Sequence, residues 1–244
     1  MERKKYWLML FFACLSVLAP AQKNYETIVY HAFVSGEMEN WEEAIDQMER
    51  EKVENSVYLV DLINFQYGYI GWCLGNDKKK AANHYLDLME NNLEILKALN
   101  GETANYHAYH AAAYGFRIGL KKWKAPFLGP KSMDHAEKAL EKNPESFQAN
   151  MEMGNIWNHM PEMFGGSYAK AMSYYLNALN IIEKTENKAT DNNWMYLNLL
   201  AIAGQMEEEE GNREKALLFY KKALKIEPEF KWIKNELLPS LKNK

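Results

Sequence analysis

The sequence predicts an all-α fold built from helix pairs that stack on one another. Apolar residues recur every three or four positions, which is the period of an amphipathic helix, and no long alternating strand pattern interrupts them. Only seven prolines occur among the 244 residues. Small residues repeat at a fixed interval, because Gly115 and Gly154 are 39 positions apart and so are Ala139 and Ala178. Together these observations indicate a repeat protein whose units each contain two helices.

The clearest unit lies near the C-terminus. Its small, aromatic and proline positions follow in this order: Gly204, Gly211, Ala216, Tyr220, Ala223 and Pro228. This order resembles the tetratricopeptide repeat (TPR), a helix–turn–helix unit of about 34 residues. The resemblance implies that helix A and helix B of a unit cross closely at small residues, and that the proline ends helix B. It also implies a right-handed superhelical solenoid of antiparallel helix pairs.

The same pattern divides the chain into about five units and a C-terminal capping helix. Trp41 and Ala44 match the start of helix B in the first unit, while Gly68 and Gly75 mark the second. The approximate units are 25–53, 55–99, 104–144, 147–182 and 194–230, followed by the cap 231–244. A terminal repeat needs such a cap because its outer face would otherwise expose apolar surface.

The third and fourth units are each about five residues longer than the pattern. The extra length falls in 121–131 and 158–166, between helix A and helix B of each unit. Both segments contain proline, an aromatic residue and glycine, which are typical of turns. We therefore expect two similar loops on the same edge of the stack, and the sequence leaves their role open.

The N-terminus predicts a signal peptide over residues 1–21. A basic start precedes a mostly apolar run, and small residues at Ala19 and Ala21 suit cleavage before Gln22. The run is shorter than the roughly 20 residues of a membrane span. Cys14 ends a lipobox-like sequence, but Phe11 stands where a branched aliphatic residue is usual. We therefore expect an exported, periplasmic protein that is not lipidated, with no integral span after cleavage.

Composition argues against a nucleic-acid partner. The formal net charge is −4, and no basic tract of five to eight residues occurs. After signal cleavage Cys73 is the single cysteine, so no internal disulfide forms. Its apolar surroundings predict a buried, unreactive thiol.

No residue set in the sequence predicts catalysis. His107 and His110 share a helical face, but a zinc site needs further ligands and neither HExxH nor CxxC occurs. Aromatic neighbours favour a packing role for both imidazoles. Ser167 follows two glycines, yet no phosphate-loop motif follows, so we expect it to cap a helix. The prediction is therefore a protein that is not an enzyme and has no cofactor or metal.

The resemblance implies a partner groove on the inner faces of the A helices. The candidate groove residues are Tyr109, Asn155, Asn158, His159, Asn198, Gln205 and Glu208. Amide, aromatic and acidic groups of this kind suit an extended peptide or another polar ligand and do not suit an anionic polymer.

Two functions follow from this surface. The first is a scaffold or adaptor that holds a protein or peptide segment in the concave groove, in the assembly or support of a cell-envelope complex. The alternative is a periplasmic solute-binding module associated with a transporter. A deep pocket lined by Tyr109, Trp157 and His159 would favour the alternative, whereas an open groove would favour the scaffold. The oligomeric state remains open.

Overall fold

The computed structural model describes residues 24–185 and 191–243 of the chain. In chain order its helices are α1 (Tyr25–Ser35), α2 (Met38–Glu51), α3 (Ser56–Gly75), α4 (Lys79–Asn100), α5 (Ala104–Leu120), α6 (Ala125–Lys142), α7 (Phe147–His159), α8 (Tyr168–Lys184), α9 (Trp194–Glu209), α10 (Arg213–Ile226) and α11 (Leu238–Asn243). The predicted signal peptide, with Cys14, lies outside the described residues.

The predicted all-α solenoid of about five helix pairs is confirmed. Helices α1 to α10 form five consecutive pairs, and the part of the chain described contains no strand. A π-helical turn, Ile233–Leu237, leads into α11, and Phe230 and Ile233 are fully buried beneath this C-terminal cap. One large apolar core runs through the pairs, and two smaller clusters join α6 to α5 and α7, as stacked repeats require because no unit buries its apolar face alone.

Polar side chains fix the starts of most helices. Six helices begin with a side-chain oxygen that accepts a hydrogen bond from a backbone N–H of the first turn; the capping residues are Asn24, Asn55, Thr103, Ser146, Ser167 and Asn193. Each such cap stabilises its helix by about 1 kcal/mol. The expectation that Ser167 caps a helix is confirmed, because its Oγ accepts from the N–H of Lys170 at 3.3 Å.

Glycine allows close helix crossing in the fourth and fifth pairs. A Cβ added at Gly154 would overlap the ring of Tyr175, and one at Gly204 would overlap the ring of Tyr220. The explanation does not extend to Gly115, because a Cβ there would meet no atom within 4 Å. Gly115 therefore follows the 39-residue interval of the repeat, but it does not lie at a close contact between helices.

The expectation of a loop over 121–131 was wrong. A short 3-10 turn, Lys122–Lys124, leads directly into α6, so that both prolines of this segment lie within the helix. Pro126 is in the first turn, where its missing N–H has no intrahelical partner in any case. Pro130 removes a single bond, to the carbonyl of Pro126. The segment 158–166 is mostly irregular, with one 3-10 turn over Glu162–Phe164.

The superhelix closes on itself, so that the first pair contacts the last. The hydroxyl of Tyr30 on α1 donates to Glu227 Oε2 at 3.0 Å, across 197 residues of sequence. Phe33 lies with its ring centroid 5.0 Å from that of Phe230. This closure decides how much of the concave side remains open.

Candidate functional site on the concave face

Several of the predicted groove residues, Tyr109 and Asn155 among them, are held by bonds within the protein. Tyr109 on α5 is buried, and its hydroxyl accepts from Asn64 Nδ2 at 2.9 Å. Asn155 on α7 is half-buried; its Nδ2 donates to the Tyr67 hydroxyl at 3.1 Å and its Oδ1 accepts from the Tyr175 hydroxyl at 2.7 Å. A partner that used either side chain would first have to break these bonds, at a cost of about 1 kcal/mol each.

An aromatic cluster fills the centre of the concave side. Trp194 on α9 is buried, with its ring centroid 4.9 Å from that of Trp41 and 5.8 Å from that of Phe33. Its Nε1 donates to Asn64 Oδ1 at 2.9 Å. Asn64 therefore bonds to Trp194 and Tyr109 at once, and so joins α3 to both α9 and α5. Side chains occupy the space that an open superhelix would leave for a ligand.

A buried carboxyl group lies beside this cluster. Glu152 on α7 is 3% exposed, and its oxygens accept from Gln148 Nε2 at 2.7 Å and from Asn155 Nδ2 at 3.3 Å. A hydrogen bond also links it to the hydroxyl of Tyr67. Burial raises the pKa of Glu152 to about 7, although its three hydrogen-bond donors act in the opposite direction. Its charge therefore changes near neutral pH.

The remaining predicted positions reach the surface on α7 and α9. Asn158, Asn198 and Gln205 are half-buried, and His159 is exposed. Glu208 is half-buried and accepts from the hydroxyl of Tyr220 at 3.2 Å. We call Asn158, His159, Asn198 and Gln205, polar side chains on α7 and α9 that reach the surface, the polar strip.

Two shallow depressions involve residues of this region. One, of about 380 Å³, has Tyr109 in its floor; the other, of about 390 Å³, has Trp157 and Lys170 in its lining. Tyr109 and Trp157 therefore line separate depressions, and His159 belongs to neither of the two. The first depression also contains a buried Gln148 whose Oε1 has no hydrogen-bond partner.

Three histidines meet between α5 and α6. His107 Nδ1 and His135 Nδ1 are 3.2 Å apart, and the ring of His135 lies 4.9 Å from that of His110. Burial lowers the pKa of all three, that of His135 to about 4. Residues 24–185 and 191–243 contain no group of three or more histidine, cysteine or acidic side chains arranged to hold a metal ion. The rings are tilted against one another, and Tyr106 meets the rings of His107 and His110 edge-on, so both imidazoles pack among aromatic rings.

Cys73 has the environment that its sequence context predicted. It is fully buried, and burial raises the pKa of its thiol to about 11. At neutral pH it is therefore protonated and shielded from reagents.

The sequence analysis missed Glu152, Asn64 and His135. For Glu152 a signal was present, since Gln148, Glu152 and Asn155 repeat at four and three and so share one face of α7. Asn64 and His135 acquire their roles through contacts with other helices, which spacing along the chain does not reveal.

Comparison with solved structures supports the TPR-like fold. The HusA haemophore from Porphyromonas gingivalis matches with a TM-score of 0.59 and 16% identity, over 76% of this chain and 94% of its own. A thermophilic TPR protein of Thermus thermophilus matches with a TM-score of 0.51 and 16% identity, over 89% of this chain and 95% of its own. The sequence matches no protein-family model and no curated protein. At such identities the likeness establishes the fold, which is that of TPR solenoids.

None of the helices within 24–185 and 191–243 combines the length and apolar character that a membrane span requires.

Proposed function

We propose that this protein is a non-enzymatic TPR-type scaffold or adaptor that binds a protein or peptide segment along the polar strip. The observation that supports this proposal is the partial exposure of amide side chains on two inner helices: Asn158 on α7, which also bonds to Tyr175, with Asn198 and Gln205 on α9. An amide both donates and accepts hydrogen bonds, as the backbone of an extended peptide does. His159 adds an aromatic, titratable group at the end of α7.

The packed centre limits this binding mode to one side of the concave face. Tyr109 and Trp194 are buried and Asn155 has internal partners, so a partner would lie over these side chains rather than among them. The separation of Tyr109, Trp157 and His159 argues against a deep enclosed ligand site at this place.

Peptide selection tests the proposal directly. A random peptide library would be selected on the chain from Gln22 onward and counter-selected on the triple variant Asn158→Ala, Asn198→Ala and Gln205→Ala. We expect peptides that bind the parent chain at least tenfold more tightly than the triple variant. The matched control, Asn91→Ala with Asn180→Ala, removes exposed amides from α4 and α8 and should leave binding unchanged. Peptides that bind all three proteins equally would contradict the proposal.

A small-molecule ligand is the second candidate, and the depression beside Tyr109 favours it. Its lining combines apolar Phe147, Ile181 and Ile182 with Gln148, whose buried carbonyl oxygen lacks a partner. The haemophore with a similar fold suggests haemin as the first probe. A saturable one-to-one change in haemin absorbance that Phe147→Ala weakens would favour this candidate. A linear, non-saturating change in absorbance would exclude haemin as the ligand.

We also propose that the protein is exported to the periplasm and acts there in an envelope complex. The proposal rests on the basic and apolar N-terminal segment and on the small residues before Gln22. N-terminal sequencing of the protein from its native host should give Gln22 as the first residue. A chain that retains Met1 would contradict export by this route.

A further inference from the structure

Large apolar side chains are exposed at the turn between α5 and α6. Trp123 and Phe127 are each 69% exposed. They lie on either side of the start of α6 at Ala125, at one end of the third helix pair. We call residues 121–131 the aromatic tip. Exposed apolar side chains of this size add nothing to the core and indicate a contact surface.

The turn between α7 and α8 adds two further exposed apolar side chains. Met163 is 83% exposed and Phe164 is 70% exposed. Both turns connect helix A to helix B of adjacent pairs, and α7 packs against both α5 and α6. The two turns therefore lie on the same edge of the stack, as the sequence predicted for the two long units.

The aromatic tip is strongly basic in an otherwise acidic protein. Between Glu102 and Asp134 the chain has no acidic residue, whereas the tip alone carries four lysines, Lys121, Lys122, Lys124 and Lys131. None of the four takes part in an ion pair in the described part of the chain, but Arg117 nearby is paired with Asp87 and Glu90. The ammonium groups of the tip are thus available to an anionic surface.

Opposing charges lie outside the tip. Glu162 stands in the α7–α8 turn, next to Met163. Glu209 and Glu210 are exposed at the end of α9, on the turn of the fifth pair rather than the third. Positive charge is therefore concentrated in the turn of the third pair, and negative charge in the turns of the fourth and fifth pairs.

We propose that the aromatic tip binds the surface of an anionic lipid bilayer, with Trp123 and Phe127 inserted at the level of the headgroups. Tryptophan is enriched at membrane–water interfaces because its ring is amphipathic. Lysines beside inserted apolar side chains add electrostatic attraction to anionic lipids. Exposed aromatic side chains beside these lysines complement an anionic bilayer surface, whereas the anchor residues of a protein interface typically lie in well-packed pockets. The tip shares no residue with the polar strip.

Vesicle flotation tests the proposal. The chain from Gln22 onward retains every described helix and lacks the apolar N-terminal segment, which would itself associate with lipid. It would be floated with phosphatidylcholine vesicles and with vesicles that contain one quarter phosphatidylglycerol. We expect at least tenfold stronger partition onto the anionic vesicles, and a strong reduction in 0.5 M salt because salt screens the lysines.

Two tip variants separate the apolar and electrostatic contributions. Trp123→Ala with Phe127→Ala should reduce partition onto anionic vesicles at least tenfold, and Lys121→Gln, Lys122→Gln and Lys124→Gln together should remove the preference for anionic lipid. Circular dichroism would confirm that each variant is folded, which the exposure of these side chains favours.

The matched control removes equally exposed apolar side chains from other places. Val57→Ala with Leu218→Ala changes residues that are 69% and 67% exposed on α3 and α10. The control should bind vesicles as the parent chain does. An equal loss of vesicle binding in the control and in the Trp123→Ala, Phe127→Ala variant would overturn the proposal. So would failure of the parent chain to bind anionic vesicles, which would make a protein the occupant of the tip.

Discussion

Replacement of Glu152 by glutamine should stabilise the protein at alkaline pH. The carboxyl of Glu152 is buried on α7, and its pKa is raised from 4.5 to about 7. Such a group binds its proton more tightly in the folded than in the unfolded chain. The stability that it contributes is therefore complete below about pH 4.5 and is lost as the pH rises through 7. Glutamine keeps the shape of the side chain and removes the charge.

The size of the effect follows from the shift in pKa. A rise from 4.5 to about 7 corresponds to ~3 kcal/mol of unfolding free energy lost between acid and alkaline pH. The glutamine amide would meet the donors Tyr67 and Asn155, and one mismatched bond would cost about 1 kcal/mol. A net gain of about 2 kcal/mol at pH 8 remains, which for a domain of this size raises the melting temperature by ~5 °C.

Urea unfolding followed by circular dichroism at pH 5 and pH 8 measures this effect. The difference between the variant and the parent isolates Glu152, because the three histidines titrate equally in both proteins. Glu137→Gln, at an exposed position on α6, is the control and should follow the parent at both pH values. If the unfolding free energies of Glu152→Gln and the parent differ by the same amount at pH 5 and pH 8, Glu152 is not the ionising group and the argument fails.

Three further substitutions test the packing. Gly204→Ala places a Cβ into the ring of Tyr220 and should cost about 1–3 kcal/mol in urea unfolding, whereas Gly71→Ala on the open face of α3 should be neutral or stabilising. His135→Gln should reduce the loss of stability on acidification. Because the pKa of His135 falls from 6.5 to about 4 on folding, the unfolded chain binds the proton more tightly and the folded state loses stability as the pH drops below 6.5. The melting temperature measured as a function of pH checks this prediction. Trp194→Ala empties the centre of the aromatic cluster and should cost about 3–5 kcal/mol in the same urea assay.

The spacing of residues along the chain predicted the helix pairs because the contacts within a pair join residues that are close in sequence. Gly204 and Tyr220 belong to one pair and are 16 residues apart, so a pattern of small and aromatic residues records their contact directly. The capping role of Ser167 was equally visible, since the cap and the N–H that it accepts are three residues apart. In contrast, the expectation of a loop over 121–131 was wrong because its prolines and glycine were taken as turn residues, although Pro126 occupies a first helical turn that tolerates proline.

The contents of the concave side could not be predicted in the same way. Asn64 bonds to Tyr109 and Trp194, which are 45 and 130 residues away along the chain. The candidate groove residues were chosen by their position within a repeat, and that choice assumes an open superhelix. Whether Tyr109 faces a ligand or a neighbouring helix depends on the curvature of the whole stack, to which every pair contributes.

Closure of the superhelix has a consequence for how the protein contacts other molecules. In an open solenoid each repeat touches only its neighbours, so its concave surface stays free and repeats are gained or lost with little effect elsewhere. Here Tyr30 bonds to Glu227 and Phe33 packs on Phe230, so the first pair also contacts the last. The side chains at the centre, Trp194 among them, are buried and stabilise the fold, so we expect partners to bind at accessible positions such as the polar strip and the aromatic tip.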